Sequence, residues 1–330
     1  MTITLSEKRL PTKVDGTLAG LPDLILGGAV FNYIYKSDPE NIPATAMVDE
    51  AFSKGMSAID TSAYYGPSEV ILGGVLDKLK EKWPRESYYI CTKAGRVSQD
   101  LFDYTKEGIR ASVERSLDVL HTTYADVVYV HDVEFKKPEE ILEAVTTLHE
   151  MRKEGKIHYV GISGYPVDFL ASMCEILRDQ GVPVDIVLSY SNMCLQNTLL
   201  LESLDRFKLA GVQKVLNGSP LSMSLLRSQP THSFHPAPES LNKAVSKVVE
   251  YTKSQDVELA DLALRYAFAK FPGGTVVGVS TVEELQAALD NYWLAKSESV
   301  SDQEMFDNVK SLYGDQWNLT WTSGNIAGNA

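Results

Sequence analysis

The sequence predicts a (β/α)8 barrel. Eight short apolar runs rich in β-branched residues recur along the 330-residue chain. Longer segments with helical spacing alternate with most of them. The runs are continuously apolar, which marks strands covered on both faces, as in parallel sheets. Strand–helix alternation implies right-handed βαβ units, and eight such units close a barrel.

In chain order the strand runs are Leu24–Gly28, Ser57–Thr61, Tyr88–Lys93, Asp126–Asp132, His158–Ser163, Asp185–Ser191, Gln213–Ser219 and Thr275–Ser280. The first clear helical pattern is Lys106–Leu120, with Ile109, Val113, Leu117 and Leu120 on one face. Pro138–Gly155 follows, with Pro138 suited to a first turn and Gly155 to a stop. Pro166–Gly181 and Glu239–Gln255 read the same way, and Glu258–Lys270 and Thr281–Leu294 flank the last strand. No linker or low-complexity stretch divides residues 1–330, so one domain is expected, with a core of about residues 20–295 and a tail over 296–330. The link between the last two strands holds a long Ser/His/Pro-rich loop, Leu226–Pro238, and long loops in compact domains usually serve function. The polar tail carries Tyr313, Trp317 and Trp321, which suggest packing on the body near the site.

A net charge of −13 argues against nucleic acid or anionic lipid as the main partner. No run approaches the roughly 18 apolar residues that span a membrane, and no leader segment is apparent. Three cysteines (Cys91, Cys174, Cys194) without a CxxC pair suggest a reducing compartment, so a cytoplasmic location is expected. The acidic balance shows no sign of an extensive apolar interface, so a monomer is expected.

Barrel enzymes carry their reactive groups at the C-terminal ends of the strands. Here those ends read Ile59-Asp60-Thr61, Cys91-Thr92-Lys93, Val130-His131-Asp132 and Ile162-Ser163. A carboxylate, an ammonium and an imidazole should therefore meet at the barrel mouth. Taken singly, Asp60 and Lys93 could be a structural ion pair, and His131 a satisfied buried histidine. Asp60, His131 and Asp132 could also supply some ligands of a metal site, but Lys93 beside them would repel the ion; no metal is expected. Tyr65 lies five residues after Asp60. A free phenol has a pKa of about 10, and a nearby ammonium favours its ionised form. Asp60 would hold that ammonium. The set makes a general acid–base group matched to an alcohol or carbonyl oxygen. Tyr64 reads better as a rim aromatic.

The segment Asp60-Thr61-Ser62-Ala63-Tyr64-Tyr65-Gly66, with Lys93 and His131 following in order, resembles the signature of the aldo-keto reductase superfamily. The likeness covers roughly residues 20–295. It implies a nicotinamide cofactor and the catalytic set Tyr65, Lys93, Asp60 and His131. Gly161-Ile162-Ser163-Gly164 resembles the family's carboxamide-binding segment, Ser219-Pro220-Leu221-Ser222 its pyrophosphate loop, and Gly278-Val279-Ser280 its adenosine-phosphate segment. Expected cofactor contacts are thus Gly28, Ser163, Gly164, Ser189, Ser219, Leu221, Ser222, Gly278, Ser280 and Glu284. Expected substrate contacts are His131, Asp132 and Tyr65. The chain departs from the family pattern at Gly218, where many members place a ring-stacking tyrosine, at Gly164, where many place asparagine, and at Leu188, where many place glutamine. No GxGxxG follows a strand, so the cofactor would be bound in the barrel's own fashion.

Ser280-Thr281-Val282-Glu283-Glu284 has two acids where NADP-using members carry a base, which implies NAD; Thr281-x-x-Glu284 is also a capping box. The stretches His131–Phe135, Ile162–Pro166 and Leu221–Ser228 resemble the family's aldose 1-dehydrogenases. Those oxidise the anomeric hydroxyl of a sugar such as D-arabinose to a lactone. L-galactose or L-fucose oxidation, carbonyl reduction and a non-catalytic redox-sensing role are the alternatives the sequence leaves.

Overall fold

A computed structural model describes residues 7–297 and 301–324. Eight parallel strands close on themselves in sequence order. They are β1 (Leu24–Gly27), β2 (Ala58–Asp60), β3 (Tyr89–Ala94), β4 (Ala125–Val130), β5 (Ile157–Gly164), β6 (Ile186–Tyr190), β7 (Lys214–Gly218) and β8 (Gly274–Gly278). Closure is made where Leu24–Gly27 of β1 pairs with Thr275–Gly278 of β8. Every run expected to form a strand does so, with ends displaced by a residue or two; the last stops at Gly278 rather than Ser280.

The helices are α1 (Ala44–Ser53), α2 (Ser68–Leu79), α3 (Lys106–Val119), α4 (Pro138–Lys153), α5 (Val167–Asp179), α6 (Leu199–Glu202), α7 (Leu204–Leu209), α8 (Glu239–Ser254), α9 (Leu259–Lys270), α10 (Val282–Ala295) and α11 (Gln303–Tyr313). Sequence periodicity anticipates α3, α4, α5, α8, α9 and α10. It does not single out α1 and α2, or the short α6 and α7. The stretch read as a polar tail is corrected by α11: Phe306, Val309 and Tyr313 face inward there and pack with α8 residues Leu241, Val245 and Val248. Spaced three and four apart, those three make the apolar stripe of an amphipathic helix.

Two apolar layers hold the barrel. Inside it, Ile25, Ala58, Cys91, Val127, Tyr129, Ile186, Leu188 and Leu216 fill the lumen. Tyr129 fits because Gly161 faces it; a Cβ at 161 would lie 2.5 Å from the Tyr129 ring. Outside, residues such as Leu26, Ile59, Ile90, Val128 and Ile162 meet the helices. Each strand therefore buries both faces, which is why its sequence is continuously apolar. Among the described residues no helix is long and apolar enough to cross a membrane.

Gly73 marks the tightest helix contact. A Cβ there would lie 1.9 Å from the Val119 carbonyl oxygen at the end of α3. Backbone cannot yield as a side chain can, so Gly73→Ala should destabilise the protein by about 1–3 kcal/mol. Denaturant unfolding measures this, and an unchanged midpoint would refute the contact.

Candidate active site

The C-terminal ends of β2, β3 and β4 bring the expected side chains together. Asp60 is the last residue of β2, and Lys93 lies one residue before the end of β3. The ladder runs slightly past the strands: Thr61 N–H donates to Cys91 O at 2.9 Å, and His131 N–H to Ala94 O at 2.9 Å. Lys93 Nζ donates to Asp60 Oδ1 at 2.5 Å and to Thr61 O at 2.8 Å. Both partners are buried. The same ammonium stands 4.7 Å from the centroid of the Tyr65 ring. The loop that carries Tyr65 is pinned from below, where Ser68 Oγ donates to Gly28 O at 2.9 Å and lies 2.8 Å from Thr61 Oγ1.

Electrostatics follow from this packing. Burial works against the Lys93 charge, but Asp60 and Tyr65 outweigh it and hold the ammonium above its ordinary range. Burial pushes the Tyr65 phenol up, Lys93 opposes this, and Asp60 and Asp132 add to the rise. That corrects the sequence argument, which counted the ammonium alone and expected a lowered phenol. Lys93 is what limits the rise. Burial pushes His131 down to about 3, with Lys93 and Arg96 adding to the effect and Asp132 opposing it. The imidazole is therefore neutral at ordinary pH. Its ring meets Tyr65 edge-on at 5.7 Å between centroids, and its Nδ1 lies 2.9 Å from Ser62 Oγ.

These groups line a cleft of about 330 Å³ at the barrel mouth. Of the expected contacts, Asp60, Tyr65, Lys93, His131, Asp132, Ser163, Ser219, Leu221 and Gly278 line it. The others do not line it. Gly28 packs under the pinned loop, where a Cβ would meet Ser68 Oγ at 2.7 Å. Gly164 faces Glu134; a Cβ there would lie 2.3 Å from Oε2 of that residue. Ser189 Oγ accepts from Asn192 Nδ2 at 3.0 Å. Ser222 is fully buried, and its carbonyl accepts from His235 Nε2 at 2.8 Å. Ser280 N–H and Oγ both donate to Glu284 Oε2, at 2.7 and 2.9 Å. Thr281 caps α10 as the capping box requires, accepting from Glu284 N–H at 3.1 Å, but the Glu284 carboxylate reaches Ser280 instead of closing the box.

Several lining residues are not legible from the motifs alone. Arg96 pairs with Asp132 and lies 4.1 Å above the Tyr64 ring. Tyr64, read from sequence as a rim aromatic, thus forms part of the cleft wall and carries a cation on its face. Tyr190 stands in register with Gly218 on the neighbouring strand. A Cβ at 218 would press on Leu188 at 3.3 Å and Tyr190 at 3.4 Å. From the Leu226–Pro238 loop, Phe234 reaches the cleft and packs edge-on against Tyr35 at 5.2 Å. After β7 the backbone is left-handed at Ser219, Ser222, Met223 and Ser224. Each such residue costs roughly 1–3 kcal/mol, and such strain gathers at ligand-binding loops. Among the described residues no group of three or more His, Cys, Asp or Glu side chains could hold a metal ion.

The tail does reach the site region. Trp321 stacks on Tyr165 at 4.7 Å, and Ser323 Oγ donates to Glu134 Oε1 at 2.9 Å. Tyr165 N–H donates to the same Glu134 oxygen at 3.1 Å, while Glu134 Oε2 has no partner. Burial, with Asp132 nearby, pushes the Glu134 carboxyl up to about 8. Its folded value exceeds its unfolded one, so the neutral form favours the fold. That contribution is whole below about pH 4.5 and is lost as the pH rises toward 8. Glu134→Gln should therefore gain melting temperature relative to the wild type as the pH is raised from about 5 to about 9. A pH-independent difference would contradict the assignment.

Residues 23–312 match the Aldo/keto reductase family. The chain is 45% identical to D-arabinose 1-dehydrogenase of Saccharomyces cerevisiae, over 93% of this chain and 95% of that one. It is 35% identical to L-galactose dehydrogenase of Arabidopsis thaliana, over 90% and 91%. The solved glycerol dehydrogenase of Gluconobacter oxydans shares the fold, with a TM-score of 0.67 at 19% identity over 98% of this chain and 100% of that one. A barrel with an acid–base cluster at its mouth, matched along most of its length, places this chain in the aldo/keto reductase family of oxidoreductases.

Proposed function

We propose that this protein is an NAD-dependent aldose 1-dehydrogenase, oxidising the anomeric hydroxyl of a sugar such as D-arabinose to the aldonolactone. The observation that carries the reading is the Tyr65 phenol, set between a buried ammonium–carboxylate pair and a neutral imidazole inside one cleft. The likeness to a yeast D-arabinose 1-dehydrogenase supports the choice of substrate.

The residues fit a nicotinamide dinucleotide. Leu188, Tyr190 and Gly218 line the same cleft as Tyr65, and a Cβ at 218 would press on the other two. Tyr190 can thus give the ring a face that Gly218 does not. Ser163, Gly164 and Ser189 would surround the ring end. The turn after β7, left-handed at Ser219 and Ser222, would set Ser219, Leu221 and Ser222 around the pyrophosphate. Gly278, Ser280 and Glu284 would complete the adenosine end, while Gly28 would back the reacting end under the Tyr65 loop. Glu283 and Glu284 open α10 with negative charge. A 2′-phosphate placed beside two carboxylates would be repelled, whereas a ribose hydroxyl would not, and this favours NAD over NADP.

Bound NAD would supply the acceptor for the C1 hydride; the protons are handled by the chain. Tyr65, having first given its own proton to solvent, takes the proton of the C1 hydroxyl as the hydride leaves C1. Lys93, fixed by Asp60 and Thr61 O, steadies the phenolate that Tyr65 passes through. His131 is neutral and orients the C1 oxygen by a hydrogen bond. Asp132 is proposed to meet the sugar hydroxyls together with its partner Arg96. In a cyclic aldose the ring oxygen already bonds C1, so loss of a proton and a hydride leaves the lactone.

The near-ultraviolet absorbance of reduced nicotinamide tests this with D-arabinose, L-galactose and L-fucose and either cofactor. Reduction of NAD, with NADP much poorer, is the expected outcome; a clear preference for NADP would overturn the cofactor assignment. Reduction by none of these sugars would overturn the substrate assignment. Tyr65→Phe should lower kcat by about a hundredfold or more while leaving NAD binding nearly intact. A variant that kept most of its turnover would remove Tyr65 from the chemistry.

A further inference from the structure

We infer that Ser62 is a positioning residue that fixes the tautomer of His131, holding the imidazole proton on Nε2 so that the ring meets the substrate oxygen only as a donor. Its catalytic consequence rests on the function proposed above; the tautomer itself does not.

Ser62 is fully buried. Its oxygen takes part in two side-chain hydrogen bonds among the described residues. Tyr64 N–H reaches it at 3.1 Å, and His131 Nδ1 lies 2.9 Å away. A backbone amide can only donate, so Ser62 Oγ accepts from Tyr64. Its own hydrogen must then go elsewhere, and Nδ1 is the acceptor within reach. If Nδ1 carried a hydrogen instead, the hydroxyl would face two donors, and its own hydrogen would be buried without a partner.

Two further observations agree. On the other side of the ring, Nε2 faces Asp132 Oδ2 at 3.6 Å. A carboxylate repels a bare nitrogen lone pair and welcomes an N–H. The ring is also neutral at working pH, because burial, Lys93 and Arg96 all oppose its charge. A neutral imidazole has one hydrogen, and with Nδ1 accepting it must sit on Nε2. The main chain that carries the ring is anchored on both sides: His131 N–H donates to Ala94 O, and its carbonyl accepts from the Tyr104 hydroxyl.

The effect is a division of labour. A donor-only His131 occupies a lone pair of the C1 oxygen and cannot compete for its proton. Proton removal is left to Tyr65. Without Ser62 the imidazole can invert its tautomer and present a bare nitrogen to the substrate, which orients the hydroxyl hydrogen away from Tyr65.

Long-range proton–nitrogen correlation spectra of 15N-labelled protein, recorded without sugar or cofactor, read the tautomer directly. The chain has 6 histidines, and the His131 signals are assigned by their loss in His131→Asn. The wild type should show a bare Nδ1 and a protonated Nε2. Ser62→Ala should show a mixed or Nδ1–H pattern, and its kcat should fall by about tenfold with KM for NAD unchanged. A protonated Nδ1 in the wild type, or the same pattern in both proteins, would overturn the inference. If Ser62 governs the tautomer but no aldose is oxidised, the proposed function fails while this inference stands.

Discussion

The ion pair between Lys93 and Asp60 is the constraint on which the site depends. Burying two charges is expensive, and their attraction compensates only when geometry and hydrogen bonding are good. Here neighbouring strands β2 and β3 set the spacing, and Thr61 O takes a second hydrogen of the ammonium. Asp60 Oδ2 stays without a partner, so the arrangement is not one that stability alone would select. Its value lies in keeping a full positive charge next to a buried phenol. Tyr65 would otherwise be driven upward by burial with nothing to oppose it.

The rest of the mouth is arranged around that charge. His131 must not become a second cation, and burial together with Lys93 and Arg96 keeps it neutral. Asp132 would add negative charge beside Tyr65, and Arg96 pairs with it. The negative carboxyl that would be most awkward, Glu134, is buried behind Gly164 and favours its neutral form. The tail fastens to that same residue through Ser323. Four charged neighbours, paired as Lys93–Asp60 and Arg96–Asp132, and one neutral imidazole surround Tyr65, the group proposed to exchange a proton with the substrate.

The barrel was legible because both faces of each strand are covered. Continuous runs such as Val127–Val130 leave no solvent face to blur the pattern. Asp60, Lys93 and His131 stood out for the same reason, as polar residues a buried strand end does not otherwise choose. Helices α1 and α2 escaped because their neighbourhoods gave weaker signals. Gly73 and Gly74 interrupt α2, and Gly73 is there for close packing against α3 rather than for helix formation. The roles of Arg96, Tyr190 and Ser62 could not be read from spacing. Arg96 and Tyr190 come from different turns of the barrel, and only closure brings them to one cleft. Ser62 lay inside the recognised motif, but its partner is 69 residues away. The direction of the Tyr65 shift was misjudged because sequence names the neighbouring charge and not the depth of burial.

The most direct test of this account is the pH dependence of kcat/KM for aldose oxidation in the wild type and in Lys93→Met. If Lys93 is what holds the buried phenol within reach of ionisation, the rate of the wild type rises through an inflection as the pH increases. In Lys93→Met that inflection moves to higher pH by about one unit or more, with a lower rate below it. An inflection that stays in place when the ammonium is removed would contradict the central claim, and Tyr65 would then owe its reactivity to another group.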